Sequence, residues 1–237
     1  MQIKILFENK SIDKKFLTGW GVSYLINSRI LFDAGADFNS LSWNMQEMGV
    51  NITDLDAVVI SHNHWDHVGG LWGILGEKPR IKVYVCPHVE SDFKDRIKSC
   101  GGQIIEAGSF AKLYEDIYTT GEVMGTYNGE DMPEQALALK TGNGISVLTG
   151  CAHPGIISIL EKVKREFEKD KIHLALGGFH LLDKRTDIVT AITDELKRMG
   201  IEKIGPAHCS GEKAEDICLK EYGNNFISVK SGQSLTL

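Results

Sequence analysis

The chain has 237 residues, 42% hydrophobic and 24% charged, which suits a single large soluble domain (1–237) that buries its own core without cross-links. A net charge of −6 gives no global attraction for nucleic acid or an anionic membrane and leaves small molecules as the expected partners. Five cysteines, an odd number with no CxxC pair, argue against a disulfide framework or a structural zinc knuckle and for reduced thiols in a cytoplasm.

The N-terminal run Met1–Glu8 reads as a strand: it is too short and too charged for a signal peptide. No stretch of about 18 apolar residues marks a membrane span. Residues 9–19 read as a loop. Two strand-like runs, 20–26 and 29–33, flank the turn signal Asn27-Ser28 and predict a hairpin. A helix is expected over 40–48, with Ser40 as its cap, Leu41, Met45 and Met48 on one face, and Gly49 as its stop.

Residues 55–60 form a short apolar, β-branched run that reads as a buried strand. It feeds Ser61-His62-Asn63-His64-Trp65-Asp66-His67-Val68-Gly69-Gly70. His62 and His64 are two apart, so an extended chain projects both imidazoles to one side. Asp66 and His67 follow after a bend and reach a neighbouring point. Imidazole nitrogen and carboxylate oxygen suit zinc, and also manganese or iron.

Beyond the motif, a strand (81–86), a helix (89–98) and a strand (103–106) give a βαβ-like alternation. Residues 107–133 read as loops with a short strand near 116–119. A hairpin over 135–140 and 145–149 leads into Gly150-Cys151-Ala152-His153-Pro154-Gly155. Pro154 fits the first turn of a helix that runs to about Glu168, with Ile156, Leu160, Val163 and Phe167 as its stripe. A strand over 173–177 exits into Gly178-Phe179-His180. A helix over 186–199 follows, with Ile188, Ile192, Leu196 and Met199 on one side. The extended 202–204 exits into Pro206-Ala207-His208-Cys209, then a helix over 212–222 and strands over 225–229 and 233–237. Four strand exits therefore present histidine: His62/His64/His67, His153, His180 and His208. Asp33 ends the first hairpin and is read equally as a turn residue or as an acceptor that orients a ligand histidine.

The string His-x-His-x-Asp-His, extended here to Ser-His-Asn-His-Trp-Asp-His-Val-Gly-Gly-Leu, resembles the signature of the metallo-β-lactamase superfamily. Gly-Cys-Ala-His-Pro-Gly (150–155), Gly-Gly-Phe-His-Leu (177–181) and Pro-Ala-His-Cys-Ser-Gly (206–211) are similar to its 7,8-dihydropterin-6-methyl-4-(β-D-ribofuranosyl)aminobenzene-5'-phosphate synthase-like subgroup.

The resemblance implies an α+β fold, a four-layer αββα sandwich, and two divalent metal ions, zinc foremost with manganese or iron as alternatives. It implies His62, His64 and His153 as ligands of one ion and Asp66, His67 and His208 as ligands of the other. Asp66 would also hold the attacking water, and His180 would act as general acid or substrate contact. The Gly-Asp that supplies a bridging carboxylate in many members has no counterpart here. Cys151 or His180 takes its place, or the second ion is held weakly. His64 stands where the oxygen-reducing diiron branch usually has glutamate, which ranks hydrolysis above redox chemistry.

The implied activity is a metal-dependent hydrolase of a small ester, lactone or phosphoester. A pterin-precursor synthase acting on a nucleotide-derived phosphate and a metal- or metabolite-binding sensor are the alternatives.

Overall fold

The structure, a computed structural model, describes residues 1–237. In chain order its elements are β1 (Gln2–Phe7), β2 (Ser23–Ile26), β3 (Ile30–Phe32), α1 (Phe38–Glu47), β4 (Ala57–Val59), α2 (Trp65–Val68), α3 (Leu71–Glu77), β5 (Lys82–Val85), α4 (Ser91–Ser99) and β6 (Gln103–Glu106). These are followed by β7 (Ala111–Tyr114), β8 (Ile117–Thr119), β9 (Val123–Tyr127), β10 (Glu130–Glu134), β11 (Leu137–Thr141), β12 (Gly144–Thr149), α5 (Ile156–Glu166) and β13 (Ile172–Gly178). The chain closes with α6 (Thr186–Arg198), β14 (Lys203–Ala207), α7 (Glu212–Tyr222) and β15 (Ser234–Thr236). No helix is long and apolar enough to cross a membrane.

Two compact units result. One comprises Met1–Gly108 and Lys230–Leu237, the other Ser109–Val229. The first unit is built on a seven-stranded sheet in the order β15-β1-β2-β3-β4-β5-β6. Its β15-β1-β2-β3 side is antiparallel and its β3-β4-β5-β6 side parallel. The β2–β3 turn contains the expected Asn27-Ser28, both with positive φ, in a three-residue loop (27–29) between the paired Ile26 and Ile30. Leu41 and Met45 of α1, Leu71, Ile74 and Leu75 of α3, and Phe93 and Ile97 of α4 pack with Leu25, Leu31, Val58 and Val83 into one core.

The second unit carries a six-stranded sheet in the order β14-β13-β12-β11-β8-β7 and a separate β9–β10 hairpin. Strands β12, β13 and β14 run parallel, so all three deliver their C-terminal ends to the same edge, where the chemistry of parallel sheets gathers. Ile156, Leu160 and Val163 of α5 are buried in this unit's core with Phe167 packed against it, as the sequence stripe predicts. Full burial of each such side chain is worth about 1.5–3 kcal/mol.

Several expectations are corrected. Asp37, not Ser40, caps α1: its carboxylate accepts the Ser40 amide at 2.8 Å. On α6, Leu196 is buried and Ile192 and Met199 pack against the core as expected, but Ile188 is exposed and Val189 and Thr193 complete the inward face instead. Residues 107–133 hold four strands rather than loops with one. Residues 225–229 form no strand; they pair with the sheet through an isolated bridge from Phe226 to Ile204. The bend expected after His64 is the helical turn α2.

Candidate functional site

In the first unit, β4 ends at Val59, the chain bends at Ser61, and His64 is extended (φ −64°, ψ 146°) where it caps α2. Asp66 and His67 sit in that turn, both buried. Asp33 leaves β3 in the left-handed region (φ 56°), a strained conformation for a non-glycine residue and a mark of function. Its carboxylate is fully buried and accepts the Ser61 amide and the Ser61 hydroxyl, each at 2.7 Å. It also lies 2.7 Å from His67 Nδ1.

These bonds fix two tautomers. A carboxylate only accepts, so His67 Nδ1 carries the proton and Nε2 the lone pair. Ser61 gives its single hydroxyl proton to Asp33, so its oxygen accepts from His62 Nδ1 at 2.9 Å. His62 Nε2 is thereby left as a donor atom. Burial pushes the Asp33 carboxyl above its ordinary range, against the opposing pull of His67 and Ser61.

The freed atoms pair up. His62 Nε2 lies 3.1 Å from His64 Nδ1, and His67 Nε2 lies 3.5 Å from Asp66 Oδ2. Neighbouring ligands on a tetrahedral ion with bonds of ~2.1 Å are roughly 3.4 Å apart.

In the second unit, Cys151 and His153 follow β12, His180 follows β13, and His208 and Cys209 follow β14. The Glu134 carboxylate, buried at the end of β10, holds the first of these loops. It accepts the amides of Cys151 (2.9 Å), Ala152 (2.7 Å) and His153 (2.9 Å), and lies 3.0 Å from His153 Nδ1. His153 Nε2 is thus left as a donor atom by the same logic as for His67. Burial acts to raise the Glu134 carboxyl, but its bonds to His153 and the loop amides outweigh it and hold the group below its ordinary range.

The donor atoms of Cys151, His153 and His180 lie within 4.8 Å of one another, as do those of Cys151, His208 and Cys209. Tyr127 of β9 sets its ring against His153 and His180, with centroids 5.2 and 5.9 Å away. The neighbouring Cys209 thiol acts to raise the pKa of His180, against the opposing effect of burial. Burial opposes ionisation of Cys209, yet Cys151, His180 and His208 carry its pKa well below the ordinary thiol range. Ala152, His180 and His208 share the left-handed conformation of Asp33. Gly178 lets these loops close: a Cβ there would lie 2.7 Å from Cys209 Sγ and 3.1 Å from Cys151 Cα.

The first unit thus gathers His62, His64, Asp66 and His67 around Asp33, and the second gathers Cys151, His153, His180 and His208. Ser61, Glu134 and Cys209 were not singled out from the sequence. A serine before the motif is a weak signal, and Glu134 falls between the stretch read as loop (107–133) and the strand expected from residue 135.

Residues 21–167 match the family described as Metallo-beta-lactamase superfamily; the chain belongs to that superfamily and has the metallo-β-lactamase fold. It is 29% identical to a 7,8-dihydropterin-6-methyl-4-(beta-D-ribofuranosyl)-aminobenzene-5'-phosphate synthase of Methanocaldococcus jannaschii, over 92% of this chain and 90% of the relative. An uncharacterized protein of the same organism is 31% identical over 95% of this chain and 96% of its own length. The crystal structure of Tm1679, a metal-dependent hydrolase of the β-lactamase superfamily, superposes with a TM-score of 0.85 at 26% identity, covering 100% of this chain and 99% of that one.

Proposed function

We propose that the chain is a metal-dependent hydrolase of a small ester, lactone or phosphoester. His62, His64 and His153 would hold one divalent ion, and Asp66, His67 and His208 the other. The observation that carries this reading is the pair of buried carboxylates, Asp33 and Glu134, each fixing an imidazole so that its Nε2 is offered as a lone pair (2.7 Å to His67 Nδ1, 3.0 Å to His153 Nδ1). Ligand histidines are held by carboxylates in this way. The donor set is neutral imidazole with carboxylate, which suits zinc first and manganese or iron next.

Bound ions would supply a Lewis acid and lower the pKa of water at the site. The chain's own residues do the rest. Asp66 orients the water and accepts its proton. His180, whose ring centroid is 4.6 Å from that of His153, would return a proton to the leaving group. Tyr127 covers both imidazoles and limits water on that side.

A second reading is favoured by the 29% identity to the pterin-linked phosphate synthase: synthesis on a phosphorylated ribofuranosyl substrate with the same ligands. Zinc-loaded and metal-stripped protein assayed against lactones, thioesters and phosphodiesters, and in parallel against pterin precursors read by fluorescence, separates the two. Metal-dependent cleavage in the first panel supports hydrolysis. Turnover confined to the second supports synthesis. Equal hydrolysis by the stripped protein would defeat the proposal.

A further inference from the structure

We propose that Cys151 is a metal ligand, the anionic donor that the second unit contributes. The inference deepens the hydrolase reading and rests on its metal centre.

Three observations lead to it. Glu134 is the carboxylate that touches the 151–153 loop, and its two oxygens are engaged by three amides and the His153 imidazole; it has no strong lone pair to spare for an ion. The anionic donor must therefore come from elsewhere. Cys151 is the residue common to both donor groups of this unit, one with His153 and His180, the other with His208 and Cys209. Its sulfur is thus within 4.8 Å of a nitrogen of His153 and of a nitrogen of His208, the histidines assigned above to different ions. A donor in reach of both histidines can join a metal's ligand shell from either side.

The backbone around Cys151 is also fixed for this purpose. Its amide is bound by Glu134, the next residue is held left-handed (φ 60°), and Gly178 makes room for its Cα. The side chain is 4% exposed, so the sulfur faces the cluster and not bulk water. Binding requires the thiol to lose its proton to solvent, which nearby cations favour. A thiolate biases the site toward zinc or iron over manganese or magnesium.

X-ray absorption at the zinc edge of the zinc-loaded full chain tests the assignment. The wild type should show a sulfur neighbour at about 2.3 Å. The Cys209→Ser variant should keep it, and Cys151→Ser should lose it while the nitrogen and oxygen shell remains. Should Cys151→Ser fail to fold, Cys151→Asp, which retains an anionic donor, should bind zinc through nitrogen and oxygen alone and with less preference over manganese. A zinc-bound wild type without sulfur, or a sulfur signal that survives Cys151 replacement, would overturn the proposal and leave the hydrolase reading intact. A chain that binds no zinc would overturn both.

Discussion

In residues 1–108 the candidate donors come from six consecutive positions, 62–67, at the exit of one strand. In residues 109–229 they come from three exits, those of β12, β13 and β14, brought to one edge by parallel pairing. Both units hold an imidazole with a buried carboxylate, but Asp33 belongs to the strand beside the motif, whereas Glu134 belongs to a hairpin outside the six-stranded sheet. The first cluster is thus set by local backbone and the second by how loops from separate strands close on each other. Changes in loop packing should therefore disturb the second cluster more.

The largest effect should come from removing a donor on either side. His64→Ala and His153→Ala should each reduce hydrolysis to background, as should chelation of the wild type, measured with whichever substrate the panel identifies. Full activity in His153→Ala would break the equivalence of the two clusters.

Gly178→Ala should come next. The added methyl meets Cys209 Sγ and the Gly150 carbonyl, and overpacking of this kind costs about 1–3 kcal/mol. A lowered Tm, with weaker metal binding, is expected in thermal melts with and without zinc.

Asp33→Asn and Glu134→Gln sharpen the comparison further. Each keeps the shape but removes the charge that orients an imidazole, and partners of this type are worth about 10–100-fold in metal affinity or activity. Competition with a chromophoric chelator should show the loss in two distinct binding steps, one for each variant. The same step lost in both would mean that the carboxylates serve one ion.

The smallest effect lies away from both clusters. Arg29 donates to both Asp56 oxygens at 2.6 and 2.7 Å and lowers the Asp56 pKa, mainly through these hydrogen bonds. A depressed folded-state pKa stabilises above the unfolded value of about 3.9 and ceases to do so as pH falls through the folded value. Asp56→Asn should thus cost about 0.5 kcal/mol at neutral pH, and the difference should vanish in acid, as read by urea melts across pH.

The same contrast explains what the sequence revealed. Contiguous signals were legible: the 62–67 motif, the Asn27-Ser28 turn, and the apolar stripe of α5. Helix α3 was not, because Gly73 and Gly76 weaken its pattern. Gly73 is needed there because a Cβ would collide with the Phe38 ring, a tertiary demand invisible locally. The β9–β10 hairpin had a signal, Asn128-Gly129, and both residues do adopt positive φ, but polar flanks hid its strands. At 225–229 an apolar alternation suggested a strand that the sheet does not form. Glu134 was missed because its partners lie 17–19 residues away and three of the four are backbone amides, which carry no sequence signature.

Metal content of the purified chain tests the proposed ligand set most directly. Plasma mass spectrometry of zinc-loaded, desalted protein should give two ions per wild-type chain, with loss in His64→Ala and equally in His153→Ala, although these residues belong to different units. Undiminished zinc in either variant would contradict that set.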